Sequence, residues 1–289
     1  MIITTLNRPA QLACCLEALA RSEYDHRAFE VIVIDDGGSE PLDSIIAAFR
    51  SKLNLRLAVQ PNGGPARARN TGSDLAHNEF LAFTDDDCEP HPRWLCALAS
   101  RFQRSPECLA GGPTVNGLPL NPWSSASQMI VDLVYSYYNA DSENARFFAS
   151  NNLAVRTDLF RASGKFHEQF RTAEDREFCN RWQSQGRRLV FEPLAVVTHR
   201  HALGFVAYAR QHFEYGRGAA RFHHLCAARN SGRFRDHFGF YARMPQLWLA
   251  LWATRREPHH IRMLLLLSLW QVANATGYLR GLFNRSLSI

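Results

Sequence analysis

Apolar residues in the first 90 positions alternate between two periods, and that alternation limits what this chain can fold into more than its composition does. Met1–Thr5, Phe29–Ile34, Leu55–Val59 and Glu79–Thr84 are short β-branched or continuous apolar runs, the pattern of strands buried on both faces. Between them Gln11–Arg21, Ser44–Lys52 and Ala66–Ala76 read as helices; in the first, Leu12, Cys15, Leu16 and Leu19 share one helical face. Strand and helix in strict alternation predict a parallel sheet with helices on both sides. With 289 residues, 46% of them hydrophobic, the chain is long enough for one large domain or one domain with an appendage.

Two acidic clusters, Asp35-Asp36 and Asp85-Asp86-Asp87, each follow directly after a strand. Ligands of open α/β sheets bind beyond the carboxyl ends of the strands, where strand order reverses, so both clusters are expected on one rim. Five carboxylates on one edge repel one another, which implies a metal or a basic partner. The Asp85-x-Asp87 spacing sets two carboxylates on one side of an extended strand end, able to hold Mg²⁺ or Mn²⁺ while phosphate oxygens and water take its other positions. By itself such a triplet also reads as a solvated turn, and Asp35-Asp36-Gly37-Gly38 also reads as a turn and helix cap. Arg67 and Arg69 open a helix after Gly63-Gly64, where backbone N–H groups and the helix dipole favour an anion.

Charge is divided unevenly. Residues 1–150 carry 12 Lys/Arg against 18 Asp/Glu, and residues 151–289 carry 21 against 9. Only Lys52 and Lys165 are lysines, and arginine suits bidentate contact with phosphate or carboxylate. The seven cysteines form no C-x-x-C pair, which argues against disulfides and structural zinc and for a reducing compartment. Met1–Pro9 has no basic segment followed by a long apolar one, so a cytoplasmic protein is the expectation. Met263–Leu279 is uncharged but short for a bilayer span and contains Gln271, Asn274 and Thr276, so a buried or interfacial helix is expected there.

Four segments in order carry a resemblance. Thr4-Thr5-Leu6-Asn7-Arg8-Pro9, Val31-Ile32-Val33-Ile34-Asp35-Asp36-Gly37-Gly38-Ser39, Asn62-Gly63-Gly64-Pro65-Ala66-Arg67-Ala68-Arg69-Asn70-Thr71-Gly72 and Phe83-Thr84-Asp85-Asp86-Asp87 resemble the successive motifs of the inverting family 2 glycosyltransferases. The resemblance covers roughly residues 1–200. It implies a GT-A fold, a mostly parallel mixed sheet flanked by helices, followed by a helical extension over 201–289.

It also implies roles. Asp36, with Asp35, would accept from the base or ribose of a nucleotide-diphosphate-sugar donor, and Thr4 and Thr5 would line the base pocket. Arg67, Arg69, Asn70, Asp85 and Asp86 would contact the donor, with Asn70 serving equally well to buttress its loop. Asn151, in Phe148–Arg156, would lie beneath the donor sugar. Asp87, Asp85 and His199 would hold Mg²⁺ or Mn²⁺, with His201 the alternative to His199. Thr172-Ala173-Glu174-Asp175-Arg176-Glu177-Phe178 resembles the family's Glu-Asp motif, making Asp175 the general base and Glu174 its neighbour at the acceptor. A charged first turn of a helix is the plain alternative for that segment. The Gln-x-x-Arg-Trp of the family's processive polymerases is missing, which favours single addition to a glycan or lipid-linked acceptor.

Beyond residue 200, Phe205–His224 reads as a long amphipathic helix, Arg229–Arg243 as basic and aromatic, and Met244–Trp252 with Ile261–Leu282 as a helical hairpin. From residue 199 onward 13 Lys/Arg face 3 Asp/Glu. That mixture fits attachment to the inner face of an anionic membrane, with packing on the catalytic domain or on a second copy in a homodimer as the alternatives. Two rival functions are a metal-dependent nucleotidyltransferase, whose Gly-rich loop with a Lys is absent, and a nucleic-acid-binding protein, which leaves the acidic clusters unexplained. No nucleic-acid partner is expected.

Overall fold

The computed structural model describes residues 1–231, 240 and 259–283. Met244–Trp252, and Arg229–Arg243 beyond Ser231 apart from Phe240, lie outside the described residues. The chain divides into two compact units, one formed by 1–117 and 138–201 and the other by 118–137 and 202–289.

In the first unit β1 (Ile2–Thr5), β2 (Val31–Asp35), β3 (Leu55–Val59) and β4 (Phe80–Asp85) pair in parallel in the order β3-β2-β1-β4. The helices between them are α1 (Pro9–Ala20), α2 (Asp43–Phe49) and α3 (Pro65–Leu75). Period-two alternation divides the strand residues between two cores. Ile3, Val31 and Val33 pack with Leu12, Cys15, Leu16 and Leu19 of α1, the stripe expected from the sequence. Ile2, Ile32 and Ile34 pack with Ala66 and Ala68 of α3 on the other face. Both faces are covered, which is why β1 and β2 read as continuous apolar runs rather than alternating ones.

The chain then continues through β5 (Cys88–Pro90), α4 (Trp94–Arg104), β6 (Leu109–Gly111), β7 (Thr114–Asn116), α5 (Pro122–Tyr138), β8 (Leu153–Arg156), α6 (Thr157–Ala162), α7 (Glu174–Ser184), β9 (Leu189–Phe191) and β10 (Val197–His199). Strand β8 enters antiparallel beside β4, and β6 and β9 complete a seven-stranded mixed sheet. A small second sheet, β5-β10-β7, pairs β10 antiparallel to β5 with His199 opposite Cys88.

Two features of this topology position the site. Chain order runs one way from β1 to β2 and β3, and the other way to β4, so the strand order reverses at β1. The register Thr5↔Asp35 and Thr4↔Asp85 then sets the ends of β1, β2 and β4 side by side.

In the second unit α8 (Phe205–Ala228) packs along α9 (His259–Phe283). Their backbones approach at glycines: a Cβ on Gly277 would lie 1.9 Å from the carbonyl oxygen of Phe213, and one on Gly216 would lie 2.0 Å from that of Asn274. Tyr208 donates its hydroxyl to the Leu266 carbonyl at 3.1 Å, joining the same pair of helices. Among the described residues no helix is long and apolar enough to cross a membrane.

Candidate active site at the carboxyl edge of the sheet

Strand β4 runs into the Asp85-Asp86-Asp87 triplet, whose last two carboxylates share one arginine while the first engages another. Asp86 accepts from the Thr5 hydroxyl at 2.7 Å and from Arg8 Nη1 at 3.2 Å. The same Arg8 nitrogen donates to Asp87 Oδ2 at 3.1 Å, and His199 Nε2 lies 3.2 Å from Asp87 Oδ1. Asp85, the last residue of β4, turns to Arg69 Nη2 at 2.6 Å instead. Arg69, 3% exposed, reaches on to Glu174 Oε1 at 2.8 Å and so ties the end of β4 to the start of α7.

His199 arrives from 112 positions away because β10 pairs with β5 immediately after the triplet, and Arg200 N–H closes the junction on the Asp87 carbonyl at 2.8 Å. Burial disfavours ionised Asp87, but the His199 hydrogen bond and charge, helped by Arg8, hold it down to about 2. His199 is correspondingly raised, its Asp87 contact outweighing burial. The His201 ring stacks on His199 at 4.8 Å and is pushed down to about 4 by burial and by the neighbouring imidazole. Asp86 shares Arg8 with Asp87 but has no histidine. Burial, with the charges of Asp85 and Asp87 against Thr5 and Arg8, pushes it up to about 6.

Helix α7 opens on Ala173, a non-glycine residue in the left-handed region at φ 68°. Such a backbone costs of order 1 kcal/mol and persists where the surroundings demand it. It launches Glu174 and Asp175 into the first turn, where the helix dipole favours carboxylates. Asp175 is half-buried and accepts from its neighbour Arg176 N–H at 2.7 Å and from Ser150 N–H at 3.3 Å. Burial and the adjacent charge of Glu174 push its carboxyl up to about 7, against the pull of those N–H groups and of Arg69.

The other expected donor contacts are placed as follows. Asp36 Oδ1 accepts from Gln60 Nε2 at 2.7 Å and Gly63 N–H at 2.9 Å, and its Oδ2 accepts from Gly64 N–H at 2.8 Å. It thereby shapes the glycine loop ahead of α3, in which Gly64 adopts φ 89°. Asp35 accepts from Gly38 N–H at 2.8 Å. Asn70 clasps the Phe166 backbone, donating to its carbonyl at 2.9 Å and accepting from its N–H at 3.0 Å, and so takes the buttressing role. Arg67 is exposed, Thr4 is half-buried, and Asn151 is buried with its Oδ1 3.5 Å from the Thr114 hydroxyl.

Part of the repulsion expected among the five carboxylates is answered within the chain: Arg8, Arg69 and His199 partner the triplet, while backbone N–H groups and Gln60 serve Asp35 and Asp36. Two of the expected contacts lie inside this network. Asp85, read as a metal ligand, is bound by Arg69, and Arg69, read as a phosphate contact, is enclosed between two carboxylates. The metal-capable group among the described residues is Asp87, Cys88 and His199, whose ligand atoms lie within 4.8 Å of one another. The Cys88 thiol is fully buried, its pKa raised well above the ordinary value chiefly by that burial, and sulfur is a softer donor than Mg²⁺ or Mn²⁺ prefers. An aspartate oxygen and an imidazole nitrogen remain, and that donor set suits Mn²⁺ or Mg²⁺ completed by phosphate and water.

The profile of the family described as glycosyl transferase family 2 matches residues 1–213. The chain belongs to that family. Among curated relatives, it is 30% identical over 213 residues to the hyaluronan synthase of Pasteurella multocida, covering 62% of this chain and 22% of that protein. It is 28% identical over 221 residues to glycosyltransferase AglE of Haloferax volcanii, covering 75% of this chain and 71% of that one. The match to the Mycobacterium tuberculosis pre-mycofactocin glycosyltransferase, 29% identical, takes in 67% of this chain and 42% of that one. The chain thus spans well under half the length of two of these three relatives.

Among solved structures, the Pyrobaculum calidifontis mannosyltransferase PcManGT in complex with GDP-Man and Mn²⁺ superposes with a TM-score of 0.70 at 16% identity, covering 98% of this chain and 86% of that one. Staphylococcus aureus TarS 1–349 with UDP-GlcNAc gives 0.57 at 18% identity, covering 96% and 88%. The fold is that of the GT-A glycosyltransferases.

Family membership rests on motif positions, whereas several residues that organise the site were not singled out from the sequence. Nothing local in Arg8 or Gln60 marks the carboxylates they engage. Asn152, beside the favoured Asn151, is the more deeply engaged of the two: it accepts from Trp94 Nε1 at 2.9 Å and donates to the carbonyls of Pro113 at 3.0 Å and Ala195 at 2.8 Å. Its signal would have been an amide next to a strand of apolar residues, a position where a buried polar group needs partners.

Proposed function

We propose that the chain transfers a sugar from a nucleoside-diphosphate-sugar to a hydroxyl of a glycan or lipid-linked acceptor, with inversion at the anomeric carbon and dependence on a divalent cation. The observation that carries this reading is Asp175. A half-buried carboxyl tuned to about 7 opens α7 and is joined through Glu174 and Arg69 to the Asp-Asp-Asp end of β4. A base for an acceptor hydroxyl works best when its pKa lies near the operating pH.

In this reading Asp175 takes the hydroxyl proton as the acceptor oxygen attacks from the face opposite the leaving group, and one carboxylate suffices because no covalent sugar–protein link forms. Glu174 keeps the electrostatic pressure on Asp175, and Arg69 holds both relative to β4. Thr4, Thr5, Asp35 and Asp36 line the nucleotide end, Asp36 by fixing the loop through Gly63 and Gly64, and exposed Arg67 is placed for the donor's phosphates. Asp87 and His199 would hold Mg²⁺ or Mn²⁺, which when bound neutralises charge on the departing diphosphate.

The second unit supports association with an anionic membrane surface. Ile261, Leu265, Val272, Leu279 and Phe283 recur at helical spacing along α9 and are between 55% and 78% exposed. Arg262 and Arg280 stand next to Ile261 and Leu279 in the same helix. A lipid-linked acceptor would be presented at such a surface.

A thermal-shift screen of UDP-, GDP- and dTDP-sugars with and without Mn²⁺ tests the reading. Binding to the native state raises its stability by mass action. The expected result is stabilisation by one base class, enhanced by Mn²⁺ and abolished in Asp87→Ala; a folded protein that responds to none of the donors overturns it.

A further inference from the structure

Arg69 and Arg8 both serve the β4 triplet, but only one of them is caged. Arg69 is enclosed between Asp85 and Glu174. The Arg8 side chain is 47% exposed, and it reaches the carboxylates from the residue that precedes α1. One of its nitrogens bridges Asp86 Oδ1 at 3.2 Å and Asp87 Oδ2 at 3.1 Å, while His199 takes the remaining Asp87 oxygen. A permanent cation therefore already sits on the carboxylates where a divalent cation would bind.

Two consequences follow from charge alone. A free divalent cation gains less from carboxylates already paired with an arginine, and it meets that like charge a few ångströms away. A diphosphate changes the balance, because a guanidinium binds phosphate in bidentate fashion at least as well as it binds carboxylate. A half-exposed arginine can exchange one partner for the other without leaving the site.

We propose that Arg8 couples the divalent cation to the donor: it holds Asp86 and Asp87 against a free cation and passes to the donor's diphosphate when cation and nucleotide bind together. The proposal rests on the transferase reading above. It makes Arg8 a positioning residue whose effect is on linkage, and linkage between two ligands is reciprocal.

The test is Mn²⁺ titration, followed by the electron paramagnetic resonance of free aqueous Mn²⁺, of wild type, Arg8→Gln and Arg8→Lys, each alone and with UDP or GDP. In wild type, the diphosphate should tighten Mn²⁺ binding by about tenfold or more, a coupling of the usual allosteric size. Without nucleotide, Arg8→Gln should bind Mn²⁺ about tenfold more tightly than wild type and show a correspondingly smaller nucleotide effect. Arg8→Lys, which keeps the charge, should restore much of the antagonism, and Asp87→Ala should remove Mn²⁺ binding in every background.

Equal or weaker binding of free Mn²⁺ by Arg8→Gln overturns the proposal, as does failure of every protein to bind Mn²⁺. If neither UDP nor GDP alters Mn²⁺ affinity in wild type or variants, the transferase reading fails and the coupling by Arg8 fails with it, whereas a nucleotide effect that Arg8→Gln leaves unchanged overturns the role of Arg8 alone.

Discussion

At the scale of single residues, chemistry and stability pull Asp175 in opposite directions. Its carboxyl titrates at about 7 in the fold against an ordinary 3.8, so the fold favours the protonated form. That preference adds to stability fully below about pH 4 and is lost as the pH rises through about 7. The ionised carboxylate needed for proton abstraction is therefore the form the fold disfavours. Asp175→Asn should raise unfolding free energy at about pH 8 by on the order of 1 to 3 kcal/mol, with no gain near pH 4, in urea titrations at the two pH values. The same variant should lose about 10² to 10⁴ in kcat while retaining donor binding. The wild-type kcat should fall as the pH drops below about 7, and a pH-independent rate through that range would count against Asp175 as the base.

At the scale of elements, a glycine substitution separates helix propensity from packing. Alanine in a helix ordinarily stabilises by about 1 kcal/mol over glycine. In α9, Gly277→Ala should instead destabilise by about 1 to 3 kcal/mol, because its Cβ would meet the Phe213 carbonyl of α8 at 1.9 Å and the helices would have to separate. A urea midpoint that rises in this variant would contradict the close α8–α9 approach. Elements were legible in the sequence where period and burial coincide: β3 runs over the expected Leu55–Val59, and the α1 stripe is buried residue for residue. The parts that were not legible depend on distant pairing. Nothing local in Val197–His199 says that it pairs with Cys88–Pro90 and so delivers an imidazole to Asp87. Nothing local in Arg69 says that it will be enclosed by Glu174, 105 positions later. The direction of β8 is likewise set by its pairing with β4 and β6, not by its own four residues.

At the scale of the whole molecule, charge is divided along the chain: acidic groups concentrate in residues 1–150, and arginines dominate after residue 199. If α9 attaches to lipid, the full chain should bind vesicles containing anionic phospholipid, more weakly at high salt, and exposed-face substitution Leu265→Ser with Leu279→Ser should weaken binding about tenfold or more in sedimentation assays. Unaltered binding by that double variant would exclude α9 as the attachment surface. A single carboxylate base at Asp175 requires an inverting transfer. It is tested most directly by proton NMR of donor turnover, using the nucleotide-sugar selected by the thermal-shift screen and recording the first-formed anomer of the transferred or hydrolysed sugar before mutarotation. The expected result is a product of anomeric configuration opposite to the donor, formed by wild type and lost in Asp175→Asn. A product that retains the donor's configuration would contradict it.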